Sequence, residues 1–543
     1  MPGDVQPGDP RENYMRDTAV MTIGTTLSRF TGFLRIAAQA AALSVVGSAL
    51  ADTYNRANTT PNILYELALG GILASVFVPL FVEWLQERGP DESWAVADRI
   101  LTFTAVVLSA IAVLAAVFAP WIIRLYAVAS HPSDRQQQLV LGVFFLRWFM
   151  PQIVFYGIGA IVGGLLNANR RFAAPMFAPI LNNLVVIATF GTYLWLLHGA
   201  QPSVGLITGP ERLVLAVGTT LGVVAMTVAL LPSLRRLGYR WRPRFDWNHP
   251  ALRRLGRLAG WVIVYVVANQ AAYLVIIILA GRVRGGISAY AYAFVVFSLP
   301  HAIFGVSIFT ALLPGMSAQW AGGNRSGVRA LFSRGVRDTA VVIIPAALGF
   351  IALALPISRI IFQHVNAGVA DARLIANTLR AFAIGLPFFS AFQLLTRTFY
   401  STQDTRTPAL VNVAAAVVNL GADVLFMVVL GLGVPGLALG HATSYLFGTV
   451  VCLVILRRRL GGLDGRHVAR VVARVLPASL LAAGAAFAVT LPFGRGDIGL
   501  TSLVVETVLA VIVGILVYGG STLMLRVKEV DEVLGSMRAR FRR

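Results

Sequence analysis

The chain has 543 residues, of which 57% are hydrophobic and only 13% charged, and its mean hydropathy is +0.74. Soluble domains carry about 25% charged residues, so a soluble enzyme or binding module is excluded and lipid is the solvent this composition demands. The formal charge of +21 sits in arginine clusters between and after apolar runs, with no soluble region to carry it, which excludes a nucleic-acid partner and leaves membrane topology as its origin.

Residues 1–17 are polar and lack both a basic n-region and an apolar core, so they read as a short disordered tail rather than a cleavable signal. Fourteen apolar segments follow, near 18–47, 53–84, 98–127, 139–167, 173–198, 212–234, 255–281, 286–318, 331–357, 374–400, 407–431, 434–456, 470–492 and 499–525. A span needs roughly 20 apolar residues. Uninterrupted runs such as Ile100 to Trp121 and Val262 to Ala280 select helices over barrel strands, which would alternate. The predicted class is an all-α polytopic membrane protein with 14 transmembrane helices. Cys452, the one cysteine, lies in an apolar run and excludes an intramolecular disulfide or a CxxC-type site.

Connections after even-numbered segments are basic: Arg235, Arg236, Arg240, Arg242, Arg244, Arg253, Arg254 and Arg257 follow the sixth, and Arg457, Arg458, Arg459, Arg466 and Arg470 the twelfth. Connections after odd-numbered segments carry far less. The positive-inside rule then puts both termini in the cytoplasm of a multi-pass plasma-membrane protein; binding of anionic lipid or a partner by the same runs is the alternative. An internal repeat pairs Thr104-Ala105-Val106-Val107 with Thr339-Ala340-Val341-Val342, Pro79 with Pro314, Leu146-Arg147 with Leu379-Arg380, and Pro175 with Pro408, at offsets of 235, 235, 233 and 233. A unit of six helices repeats in one orientation, as in parallel-repeat transporters whose two bundles alternate access. The predicted organisation is a cytoplasmic tail (1–17), an N-terminal six-helix lobe (18–234), a basic cytoplasmic linker (235–254), a C-terminal six-helix lobe (255–456), helices 13 and 14 (470–525) and a basic cytoplasmic tail (526–543).

No phosphate-binding loop, zinc spacing or supported Ser, His and acid set occurs, so no enzyme is predicted. His301 and His441 read as hydrogen-bonded packing residues rather than proton relays. Charge inside spans is the stronger signal, because it is costly without a cavity or partner. Arg29 and Arg35 flank Gly32 in the first segment, about 120° apart on a straight helix, and a bend at Gly32 would aim both into one cavity. Asp52, Arg56 and Glu66 lie in the second segment. Two guanidiniums suit a phosphate-bearing substrate; an internal ion-pair set, with Asp52 or Glu66 neutralising the arginines, is the structural alternative. Further polar positions are Asn269 and Gln270, Gln393 and Arg397, and the i, i+4 pair Asn419 and Asp423, which suits a small cation or proton or, alternatively, helix–helix hydrogen bonding.

The stretches LSRFTGFLR (Leu27 to Arg35), ADTYNRANTTPNILYELALGGILASVFVP (Ala51 to Pro79), LLNANRRFAAPMFAPILNN (Leu165 to Asn183), FTALLPGMS (Phe309 to Ser317) and FYSTQDTRTP (Phe399 to Pro408) resemble the MurJ (MviN) lipid II flippases of the multidrug/oligosaccharidyl-lipid/polysaccharide exporter superfamily, most of all the actinobacterial branch. The resemblance implies movement of undecaprenyl-diphosphate-linked disaccharide peptide, lipid II, from the inner to the outer leaflet, with Arg29, Arg35 and Asp52 on family positions held to be functional. It implies a cationic cavity for the head group and no cofactor beyond a sodium coupling ion, part of whose site Asn419 and Asp423 resemble. The expected partners are lipid II, membrane lipids and cell-wall synthesis proteins. Tyr65 and Glu66 stand where family members have an arginine pair, and Phe294, Val295 and Ser298 replace charged residues, leaving Arg397 as the substitute in the second lobe. Rival readings are a flippase for another polyprenyl-diphosphate oligosaccharide, a cation-coupled drug exporter, and a cell-wall scaffold without transport. The arginine pair and the two extra helices weigh against the exporter, and buried charge against the scaffold.

Overall fold

The structure, a computed structural model, describes residues 10–44, 49–66, 78–127, 135–169, 171–246, 266–267, 269–362, 369–491, 499–527 and 529. Among the described residues the regular elements are all helical. They divide into two compact units at Gln270 and Ala271. Residues 247–254 of the predicted linker and nearly all of the basic tail lie outside the described residues.

The first unit holds α1 (Pro10–Leu43), α2 (Leu50–Tyr65), α3 (Val78–Val117), α4 (Ala119–Ala127), α5 (Arg135–Phe149), α6 (Gln152–Ala168), α7 (Ala173–Leu196), α8 (Gly209–Val228) and the short α9 (Leu231–Arg235). The apolar helix α10 (Asn269–Ala280) crosses the division. The second unit continues with α11 (Gly286–Pro300), a π-helical turn (His301–Gly305), α12 (Val306–Ala321), α13 (Arg325–Phe362) and α14 (Val369–Ser401). It ends with α15 (Arg406–Asp423), a second π-helical turn (Val424–Val429), α16 (Val434–Leu460), α17 (Gly465–Thr490) and α18 (Leu500–Met524).

Eleven helical stretches among the described residues are long and apolar enough to cross a membrane. The three other predicted segments differ in form. Segment 18–47 is α1, which starts at Pro10, so the end of the supposed disordered tail is helical. Of segment 53–84 the described residues form most of α2 and the start of α3, and of segment 255–281 they include α10; residues 67–77 and 255–265 lie outside the described residues.

Breaks inside spans have local causes. Pro151 separates α5 from α6 within one membrane-length stretch, Arg135–Ala168, since proline has no N–H for the ladder. Pro120 likewise cannot donate to the carbonyl of Ala116, and the chain bends at Phe118 between α3 and α4. Arg147 Nε of α5 donates to that carbonyl (3.4 Å). In the second unit Arg380 Nε donates to the carbonyl of Ile351 (3.3 Å), beside Pro356 in α13. Arg147 and Arg380 are the residues paired by the sequence repeat, and Ala116 and Ile351 stand 235 residues apart, the offset of Thr104 and Thr339.

Other contacts repeat in the same way. Thr227 Oγ1 donates to the carbonyl of Phe155 (2.9 Å), and Thr449 Oγ1 to that of Phe388 (3.0 Å); Phe155 and Phe388 share the 233-residue offset of Leu146 and Leu379. Tyr54 packs edge-on against Phe149, and Tyr290 against Phe382, 233 residues beyond Phe149. The duplication is thus written in hydrogen bonds and ring contacts. Helices α17 and α18 pack on each other and on α13 in the second unit, through clusters such as Val341, Val471 and Val475.

Candidate substrate and cation sites

In the first unit the candidate residues come from α1, α2 and α6. Helix α1 runs unbroken through Gly32, which faces Asn183 of α7. The Asn183 amide donates to the carbonyl of Ser28 (3.2 Å) and to Thr31 Oγ1 (3.0 Å), tying this turn of α1 to α7. Arg29 is exposed and Arg35 half-buried, so the pair occupies two settings rather than one. Arg35 Nε is buried without a hydrogen-bond partner, and its charge acts on the hydroxyls of Tyr54 and Tyr156. Among the described residues no carboxylate is ion-paired with Arg29 or Arg35.

The span-two charges are arranged otherwise. Asp52 (3% exposed) lies in the first turn of α2 and offsets the charge of Arg56 (4% exposed) one turn later. Arg56 Nη1 donates to Gln138 Oε1 of α5 (3.0 Å). Glu66, half-buried at the end of α2, acts on its neighbour Tyr65, whose ring meets that of Tyr156 at 5.8 Å. Asp52 and Arg56 therefore form a buried internal set. Arg35 acts electrostatically on the Tyr54 and Tyr156 hydroxyls and, among the described residues, is ion-paired with no carboxylate.

In the second unit Asn419 Nδ2 donates to Asp423 Oδ1 (3.0 Å) and both side chains are buried. The carboxylate abuts Gly440 of α16, where any Cβ would overlap it, and its charge acts on Tyr290 of α11. Among the described residues no group of three or more His, Cys, Asp or Glu side chains gathers, so a cation here would take its other ligands from amide, hydroxyl or main-chain oxygens, a set suited to a hard ion. Arg397, half-buried in α14, acts electrostatically on Tyr400 and is not brought to Asp423 by any observed contact.

The lipid II flippase MurJ family model matches residues 43–505. The chain belongs to the MurJ lipid II flippase family. A Burkholderia cenocepacia protein named lipid II flippase MurJ is 27% identical over 453 residues, covering 81% of this chain and 84% of that one. A solved structure of lipid II flippase MurJ in an inward closed conformation superposes with a TM-score of 0.75 at 22% identity, covering 94% of this chain and 99% of its own. An inward-facing multidrug resistance MATE family transporter of the MOP superfamily gives a TM-score of 0.64 at 14% identity, over 79% of this chain and 94% of its own, a likeness of fold alone.

Where this MurJ-family chain departs from the expected charges in α11, the structure is aromatic. Phe294 joins Phe297, Phe382 and His441 in one cluster, and Ser298 Oγ donates to the carbonyl of Val295. His301 Nδ1 lies 3.1 Å from Ser390 Oγ, as a hydrogen-bonded packing residue would, whereas His441 is ringed by Phe294, Phe382 and Tyr445 and its Nε2 is buried without a hydrogen-bond partner. Sequence reasoning missed Tyr54, Tyr156 and Gln138. A tyrosine or glutamine within an apolar span was the available signal.

Proposed function

We propose that this chain is a transporter with no chemical step, and that it moves lipid II, the polyprenyl-diphosphate-linked peptidoglycan precursor, from the inner to the outer leaflet by alternating access with both termini cytoplasmic. The observation that carries the reading is Arg35: a guanidinium in a helix of a chain of this family, ion-paired with no carboxylate among the described residues. An Arg presents a planar fork to phosphate oxygens and stays charged, so Arg35, with Arg29 nearer the open side of α1, clamps the diphosphate. Asp52 and Arg56 fix the rotation of α2 beside that site, and Glu66 borders it through the tyrosines. Arg397 is a further substrate contact in the second unit. Asn419 and Asp423 hold the coupling cation, for which sodium is the candidate; when bound it would neutralise a buried carboxylate. Cell-wall synthesis proteins are the expected protein partners.

The test is rescue of cells conditionally depleted of their own lipid II flippase, with outer-leaflet precursor accessibility as the readout. Restored accessibility supports the reading. Normal expression and insertion without restored accessibility contradicts it, and export of drugs instead would assign the chain to the exporter branch of the fold.

A further inference from the structure

The first unit carries a second cationic site, away from Arg29 and Arg35. Helices α4, α5 and α8 line an open cavity of about 600 Å³, with Arg124, Arg147 and Arg212 on its walls beside Leu139, Phe144 and Trp148. Among the described residues no acidic side chain lines it and none of the three arginines is ion-paired. Arg212 stacks on Phe144, 4.8 Å from the ring centre, and Arg147 uses Nε on the Ala116 carbonyl. The neighbouring acid, Glu211, is turned to the backbone N–H of Thr208 in a capping box. Three guanidiniums around one apolar-walled cavity repel one another and favour an anion between them.

The surroundings say what kind of anion. Trp121, Leu125, Val140 and Trp148 beside the cavity are 59%, 49%, 61% and 42% exposed, and on a membrane span such residues meet acyl chains. Tryptophans beside arginines are the composition of a head-group interface. The cavity opens near the first turn of α8, whereas Arg235 and Arg236 follow the other end of that span, so by the positive-inside rule it lies toward the outer leaflet. Its volume has room for a phosphate and glycerol.

We propose that Arg124, Arg147 and Arg212 form a binding site for the phosphate head group of an anionic glycerophospholipid of the outer leaflet, with its acyl chains along Val140 and Trp148. The site stands independently of the transported substrate.

The test uses the purified full chain in detergent, titrated with phosphatidylglycerol and read by native mass spectrometry. Arg147 stays in place because it also braces the α3–α4 bend, and Arg124→Gln/Arg212→Gln is compared with the unaltered chain. One phosphatidylglycerol fewer should be retained, with apparent affinity for that lipid at least ~10-fold weaker, since charge-assisted contacts are lost. Phosphatidylcholine should not be retained at this site, and inorganic phosphate should not displace the lipid. Equal phosphatidylglycerol retention by both proteins, with the variant's melting temperature unchanged, overturns the proposal. So does retention of phosphatidylcholine that depends on the same arginines, or preferential filling of the site by a polyprenyl diphosphate.

Discussion

The two repeats place the same scaffold around different chemistry. In the first unit Tyr54 is packed by Phe149 and Phe190 and shares a hydrogen bond with Thr219 (2.8 Å). In the second, Tyr290 is packed by Phe382, and Asp423 stands 233 residues beyond Phe190, at the matching position of α15. Its carboxylate acts on Tyr290 as the Phe190 ring does on Tyr54 by contact. Gly218 and Gly440, each hard against the preceding helix at Thr189 and Asp423, allow both helix pairs to approach closely. At the same offset Val186 and Phe190 thus stand where the second unit has Asn419 and Asp423, an apolar pair against a polar one. In the proposed function Arg35 makes the first unit's site cationic and Asp423 makes the second unit's site anionic.

Exchanging those side chains gives the largest expected effect. Phe190→Asp would bury a carboxylate beside Tyr54, and position 186, one turn earlier, offers a valine where Asp423 has Asn419. An uncompensated buried charge costs about 3–5 kcal/mol, so thermal unfolding in detergent should show a heavily destabilised protein; a melting temperature equal to that of the unaltered chain would show that the position tolerates charge without the second unit's partners.

Asp423→Asn should sharpen the contrast without unfolding the chain, because it keeps the shape that fits Gly440. Transport should fall and any sodium dependence should vanish, while lipid II binding to the first unit persists. An unchanged sodium response would return Asn419 and Asp423 to helix-to-helix hydrogen bonding.

The shared frame predicts the smallest effects. Thr227→Val and Thr449→Val each remove one hydroxyl donation to a repeated carbonyl, worth about 0.5–1.5 kcal/mol, and the two losses should be alike in thermal unfolding. A large loss in one only would mean that the repeats do not bear equal load. For topology, a single cysteine at Gly462 in a Cys452→Ser background should label from the cytoplasm and one at Gly433 from outside.

Much of this was legible in the sequence, for physical reasons that differ by feature. Apolar length marked the helices because a span must be about 20 residues long, and the repeat emerged from four matches that the Arg147 and Arg380 contacts now explain. The π-helical turns at His301–Gly305 and Val424–Val429 were not legible, because they change hydrogen-bond register and not hydropathy. Arg35 could be singled out as costly, but its tyrosine neighbours come from α2 and α6, and Gln138, the partner of Arg56, from α5. Contacts between helices distant in sequence are set by packing. The bend expected at Gly32 was inferred from glycine alone, whereas the Asn183 bonds hold that turn of α1 as continuous helix.

The claim that matters most is that Arg35 holds the substrate's diphosphate rather than balancing an internal acid. The most direct test measures outer-leaflet precursor accessibility in flippase-depleted cells carrying Arg35→Ala, Arg35→Lys or Arg35→Ala with Glu66→Ala, each at matched membrane levels. A clamp predicts abolished flipping for the alanine variant, partial flipping for lysine, which keeps the charge and loses the fork, and no recovery in the double variant. Normal flipping by Arg35→Ala, or full recovery on removing Glu66 as well, would contradict it.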